Sequence, residues 1–336
     1  MKFLHLTVAF AFMMPLLPCK GFGQPPRHIQ FSPANYYRKF SSKIAPVLRI
    51  QPGDTVSTES LDAAGNDKHG EIKAERGNPL TGPFYIEGAQ PRDLLVIRIL
   101  KVTLNRDKAY TVEGFVPRGM DMDKEMKDTM YRKAKLAQWN LDHNSMTATP
   151  ANVHEHLQNF RVPIKPMLGC VGIAPAGSQE ILTYFNGPFG GNMDFSRVTA
   201  GAIVYLPVNH DGALLLMGDG HAAQGDAELS GDGLETSMDF SFTTALVKNG
   251  ASALNFPHIE DSTYIMIPGM AKSFDDALLQ ANARMFTWLR EKYQLSAAEI
   301  SAVMNTSVEY KIAELPDPEV EIFALLKWEI LAPIKK

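Results

Sequence analysis

GALLLMGDGHAAQGDAELSGDGLETSMDFSFTTALV, residues 212–247, joins two apolar strand patterns through a loop crowded with aspartate, glutamate, histidine and glycine. Its second half alternates. Glu235, Ser237, Asp239 and Ser241 share one face, and Leu234, Met238, Phe240 and Phe242 share the other, the pattern of a strand with one buried side. Its first half follows GAIVYLPV, with Asp211-Gly212 between the two runs, a hairpin signal. Asp219 and His221 are two residues apart directly after an apolar strand. If the extended backbone continues, both side chains point to one face, within reach of one ion. Glu235 opens the next strand and can bring a carboxylate to the same edge. A histidine with carboxylates suits zinc, manganese or iron, whereas more oxygen ligands favour calcium or magnesium. A polar hairpin tip with turn-forming aspartates has the same composition, and spacing does not separate the two readings.

The rest of the chain predicts a mainly β protein. An apolar strand ends at Ile50, a Pro-Gly-Asp turn follows, and an alternating strand starts at Thr55. A longer strand over 94–104 alternates apolar residues with Arg98 and Lys101, as an antiparallel sheet with one wet face requires. Residues 44–270 are β-rich throughout, except that 106–162 lose periodicity and read as an irregular, solvated insertion. Helical spacing is confined to 273–305, where Ser273 caps one helix and Ser296 with Glu299 forms a capping box for a second. A closing strand is expected over 320–332.

With 336 residues and a formal net charge of −4, the chain lacks the basic footprint of a nucleic-acid binder. Residues 1–23 have Lys2, an apolar run to Leu17 and Gly21-Phe22-Gly23, which predicts a signal peptide and an exported, periplasmic or secreted, mature chain of residues 24–336. No later apolar run is long enough to span a membrane. Removal of the leader takes Cys19 with it and leaves Cys170, read as a buried, inert thiol rather than a nucleophile.

Further carboxylates occur in glycine-rich loops: Asn192 and Asp194 in NGPFGGNMDFSRV, Glu59 and Asp62 in ESLDAAGND. GGNMD, VYLPV, LDAAG, GNPLTGPFYIEGAQPRDLL and the Gly-Asp-x-His-x-x-Gln-Gly-Asp-x-Glu run at 218–228 together resemble the acetamidase/formamidase family, over roughly residues 44–276. The resemblance implies jelly-roll-like or sandwich sheets with a smaller α/β part, hydrolysis of a small linear amide with release of ammonia, a divalent metal, and a homo-oligomer such as a dimer. By motif, Asp194, Asp219, His221 and Glu235 match the acidic and histidine positions, and Asp62 the N-terminal one. On this reading Asp62, Asp194, Asp219 and His221 hold the metal, zinc first and calcium as the alternative. Glu235 is a ligand or the proton shuttle, Glu228 the other shuttle, and Gln224 and Asn192 orient the amide. Ala227 stands where the motif normally carries glycine; a positive φ there would strain the loop. The competing reading is a secreted β protein whose metal only staples loops and binds a ligand without catalysis.

Overall fold

The computed structural model describes residues 25–152 and 155–335; the leader expected at 1–23 and His154 lie outside them. Among the described residues strands dominate and the helices gather toward the C-terminus. Nine strands form the large sheet. Its centre is Thr55–Glu59, Met238–Val247, Leu94–Leu104 and Ile203–Pro207, and Tyr264–Ala271, Val320–Lys327 and Glu309–Glu314 complete one edge. A six-stranded sheet places Met167–Gly172 between Gly190–Asn192 and Leu215–His221, followed by Thr81–Ile86 and Leu48–Ile50.

The two sheets share one apolar core. Phe84 and Phe242 lie 5.3 Å apart between ring centroids, and Leu168, Val171, Ile97 and Phe240 pack in the same buried cluster. Burying each such side chain is worth roughly 1.5–3 kcal/mol, so the alternation read from the sequence is what joins the layers. The helix Phe274–Tyr293 lays Met285, Trp288 and Leu289 on Ile265, Ile267 and Leu326 of the large sheet. Ser273 accepts from the Asp276 N–H as its cap, and the Ser296–Glu299 capping box starts the helix Ala297–Ser307. The closing strand ends at Lys327, and residues 328–331 turn helical instead of extending it.

Two further sequence expectations are corrected. The runs on either side of Asp211-Gly212 are not a hairpin: Ile203–Pro207 belongs to the large sheet and Leu215–His221 to the six-stranded one. The chain crosses the core there, through Gly212, Ala213 and Leu214, all at positive φ. Residues 106–162 are irregular only in part: 113–135 lie outside any strand, but the segment also contributes three strands and the start of a fourth. They form a four-stranded antiparallel layer with Val162–Pro163, ordered Val162–Pro163, Thr147–Pro150, Leu136–Asp142 and Lys108–Val112. Periodicity was masked because these strands are short and half-exposed, so few positions on them demand apolar residues.

The first described strand, His28–Gln30, runs parallel to Thr55–Glu59 and is tied down by Asp54. That buried carboxylate accepts from the Arg27 side chain at Nε, 3.1 Å, and from the N–H groups of Arg27 and Gln51, both 2.9 Å. Burial alone would raise its pKa, but these hydrogen bonds outweigh it and hold the carboxyl below its ordinary value. A depressed carboxyl stabilises the fold fully above its unfolded pKa of ~3.9 and stops doing so as pH falls through the folded value. Asp54→Asn is therefore expected to cost about 2 kcal/mol at neutral pH. Thermal melts of the two proteins as a function of pH should converge in acid; a deficit independent of pH would rule out the charge as its source.

Candidate active site

The site lies where Leu215–His221 meets Met167–Gly172. Gly169 stands opposite Asp219 in the ladder, and a Cβ there would come 2.3 Å from Asp194 Oδ1 and 2.9 Å from Asp219 Oδ2. Only glycine lets two carboxylates cross this strand. Asp194 arrives from the turn after Gly190–Asn192, with its N–H bonded to the Gly169 carbonyl at 3.1 Å. Asp219 has φ 60 within its strand and Asp194 φ 37, a region that aspartate tolerates better than most residues. The ladder is thus locally twisted, and both side chains converge on His221.

His221 is the hub. Its Nε2 lies 3.0 Å from Glu235 Oε1, 3.6 Å from Asp219 Oδ1 and 3.7 Å from Asp194 Oδ1, and all four residues are almost fully buried. Asn78 Nδ2 donates to Asp219 Oδ2 at 2.8 Å, and Asn192 Nδ2 donates to Asp194 Oδ2. Each aspartate therefore has one oxygen fixed, and the other, the Oδ1 facing Nε2, has no hydrogen-bond partner among the described residues. Glu235 Oε1 accepts the Gly233 N–H at 2.9 Å, while Oε2 is unpartnered.

Gln224 determines which imidazole nitrogen carries the proton. Its Nε2 faces two carbonyls, those of Asp194 and Ala313, so its Oε1 accepts from His221 Nδ1–H at 2.8 Å. In the neutral ring Nε2 is then a lone pair aimed at three carboxylates, an arrangement that repels itself without a cation. With no cation bound, the same carboxylates favour a proton on that nitrogen instead. Burial pushes Asp194 up to about 6 and Glu235 up to about 8. Burial also opposes charge on His221, but Glu235 and Asp219 outweigh it and raise that group. Edges of 3.0–3.7 Å around Nε2 suit a tetrahedral ion with ligands at ~2.0–2.2 Å. The orphaned oxygens and the tautomer together fit a bound dication.

Glu228 lies on the other side of the ring, Oε1 4.0 Å from Nδ1. Burial first, then the nearby Asp194 charge, raises its pKa well above the ordinary carboxyl range. The motif residues Asp194, Asp219, His221, Gln224, Glu228 and Glu235 are thus brought together. Asp62 is not. Its Oδ2 accepts from Arg106 Nη2 at 2.8 Å and its Oδ1 from the Asn66 N–H at 2.8 Å, so both oxygens are engaged away from His221. Gln224 and Asn192 turn inward to position His221 and Asp194 rather than toward an amide. Cys170 Sγ donates to the Thr183 carbonyl at 3.4 Å, and burial keeps the thiol protonated.

Several members escape sequence reading. Asn78 comes from GNPLTGP, where it reads as a turn residue. Glu314 and Asp317 stand beside Asp194 as a second group of carboxylates. They belong to AELPDPEVE, which reads as a solvated acidic turn. Burial raises both well above the ordinary carboxyl range, Asp317 to about 8. Tyr110 exchanges backbone hydrogen bonds with Glu235 at 3.1 and 2.8 Å, an anchor supplied by the layer that the sequence left irregular.

The profile of the acetamidase/formamidase family matches residues 26–188 and 187–281. The chain is 26% identical over 298 residues to a candidate formamidase of Schizosaccharomyces pombe, covering 70% of this chain and 73% of that one. Its fold is similar to that of a recombinant predicted acetamidase/formamidase from Thermoanaerobacter tengcongensis, with TM-score 0.78, 26% identity, and 93% and 99% of the two chains covered. An acetamidase from Bacillus halodurans superposes with TM-score 0.76 at 26% identity, covering 91% and 99%.

Ala227 has φ 74, so the strain expected of a non-glycine residue in this motif is present. Its N–H bonds to the Ile312 carbonyl at 2.8 Å, which fixes the conformation. A left-handed non-glycine residue costs about 1–2 kcal/mol, against about 0.4–1 kcal/mol for glycine's extra freedom in the unfolded chain. Ala227→Gly is expected to leave stability unchanged or raise it in urea denaturation. Ala283→Gly, in the exposed helix interior, should lose about 1 kcal/mol. Equal losses at both positions would contradict the strain.

Proposed function

The chain belongs to the acetamidase/formamidase family, and we propose that it hydrolyses linear amides to the acid and ammonia at a metal centre held by Asp194, Asp219, His221 and Glu235. The observation that carries this is the convergence of two unpartnered Oδ1 atoms and Glu235 on His221 Nε2, the ring nitrogen that the Gln224 contact leaves available to a ligand. One imidazole with carboxylates in a close set favours zinc over calcium, which takes six to eight oxygens. When bound, a dication lowers the pKa of a coordinated water from ~15.7 to about 7 and polarises a carbonyl oxygen.

The protein's own residues do the rest. Asn78 and Asn192 hold one oxygen of each aspartate, so the other is presented without reorganisation. Gln224 keeps the proton on Nδ1. Glu235, with Oε1 against Nε2 and the Gly233 N–H on the same oxygen, belongs with the ligands. Glu228 holds its proton on the Nδ1 side and is the group placed to hand it to the departing amine. Export and assembly into a homo-oligomer complete the proposal. Lys2, the apolar run and Gly21-Phe22-Gly23 support the first, and family resemblance alone supports the second.

The test pairs metal content of the purified mature chain with ammonia release from small amides before and after chelation. Stoichiometric metal and chelator-sensitive release are expected. His221→Ala should lose both with the fold intact, and Gln224→Ala should weaken metal affinity about 10–100-fold. Turnover surviving both chelation and His221→Ala would end the metal reading.

A further inference from the structure

Beside the site lies a cavity of about 1360 Å³, larger than the ~300–1,000 Å³ of ordinary small-molecule pockets. Its inner wall includes Gln224, Glu228 and Gly233. Gly233 rests directly on His221, since a Cβ there would come 2.6 Å from Nδ1. The cavity therefore opens on the proposed proton donor Glu228 and stops at Gly233, with the His221 ring directly behind it. Its outer wall is apolar and partly aromatic: Phe115, Met130, Trp139 and Phe160, with Val162 and Leu229. Trp139 and Phe160 meet edge to face at 6.2 Å, and Phe160 and Leu229 remain 44% and 40% exposed. Exposed apolar groups gathered on one concave surface mark a place where something apolar binds. Two of the cations on its rim are already paired. Arg197 is paired with Asp261 at 2.6 Å and Lys311 with Asp226 at 2.7 Å.

Formamide and acetamide would leave this wall untouched. Resting on the amidase reading above, we propose that the substrate is a primary amide whose acyl part carries an aromatic ring or an apolar group of similar bulk, seated against Trp139 and Phe160. The amide group then lies at the Gln224, Glu228 and Gly233 end of the cavity, beside the His221 ring. The reaction balances as water oxygen bonding to the carbonyl carbon, the C–N bond breaking, and the nitrogen leaving with the added proton as ammonia while the aryl-substituted acid remains. Because the aromatic wall belongs to residues 115–162 and the metal ligands to the six-stranded sheet and the strand after it, substrate size is set by a layer separate from the chemistry.

The experiment compares kcat/KM for phenylacetamide and acetamide in the full mature protein loaded with zinc. Phenylacetamide should be favoured about 10- to 100-fold, as burial of a ring provides. Trp139→Ala and Phe160→Ala should each lower that ratio about tenfold or more; a ratio is insensitive to how much protein folds. Preference for acetamide, or a ratio unmoved by both substitutions, overturns the proposal. So does a shift from dimer to monomer in both variants without a change of ratio, which would make the wall an inter-subunit surface. If no amide turns over, the amidase reading itself fails, and calorimetric titration with phenylacetamide still decides the cavity. Binding that Trp139→Ala weakens upholds an aromatic ligand there, and absence of binding overturns it.

Discussion

Carboxylates taken out of water around one imidazole are the constraint that the rest of this fold obeys. Each buried charge is costly unless it is paired, and Asp194, Asp219 and Glu235 all present oxygens to the same nitrogen of His221. A single imidazole, which carries at most one positive charge, cannot neutralise all three. The structure answers in two ways. Asparagine amides absorb the aspartate oxygens that face away from His221, the Gly233 N–H shares the Glu235 oxygen that faces it, and burial raises Glu228, Glu314 and Asp317 toward their neutral forms. What remains uncompensated is a compact set of acceptors at Nε2, which is the electrostatic definition of a cation site.

Much of this was legible in residues 212–247. The motif carries four of the converging side chains, Asp219, His221, Gln224 and Glu228, and Glu235 follows on the next strand. The local spacing captured them because they sit on one strand and the loop that leaves it. Alternation over 94–104 and 238–247 gave the large sheet, since a one-residue slip would turn every apolar side chain to solvent. Local pattern failed where topology intervened. Asp211-Gly212 has the chemistry of a hairpin, yet the flanking runs enter different sheets, and nothing local distinguishes a turn within a sheet from a crossing between two.

Roles were less legible than membership. Asp62 has a carboxylate in a glycine-rich loop, like Asp194, but a partner 44 residues away, Arg106, claims it. Asn192 and Gln224 carry amides suited to a substrate, yet each is consumed by a neighbour that only the folded chain supplies. Glu314 and Asp317 are the converse. Their sequence context is that of a wet turn, and it is the edge hairpin packing over Asp194 that buries them. In each case the deciding contact is long-range, and the residue type is compatible with several fates.

Backbone geometry also explains why the acidic cluster can be rigid. Asp194 and Asp219 sit in the left-handed region, and so does Ala227 in the loop that returns Glu228. Such conformations cost energy and persist only where their surroundings over-determine them. Here the surroundings are main-chain hydrogen bonds: the Asp194 N–H to Gly169, the Ala227 N–H to Ile312, and the ladder on both sides of Asp219. The cluster is aimed by the backbone of the sheets rather than by side-chain packing. The adjoining layer joins this scheme through main chain alone, the Tyr110 backbone pairing with Glu235, and no aromatic side chain of its wall contributes a hydrogen bond to it.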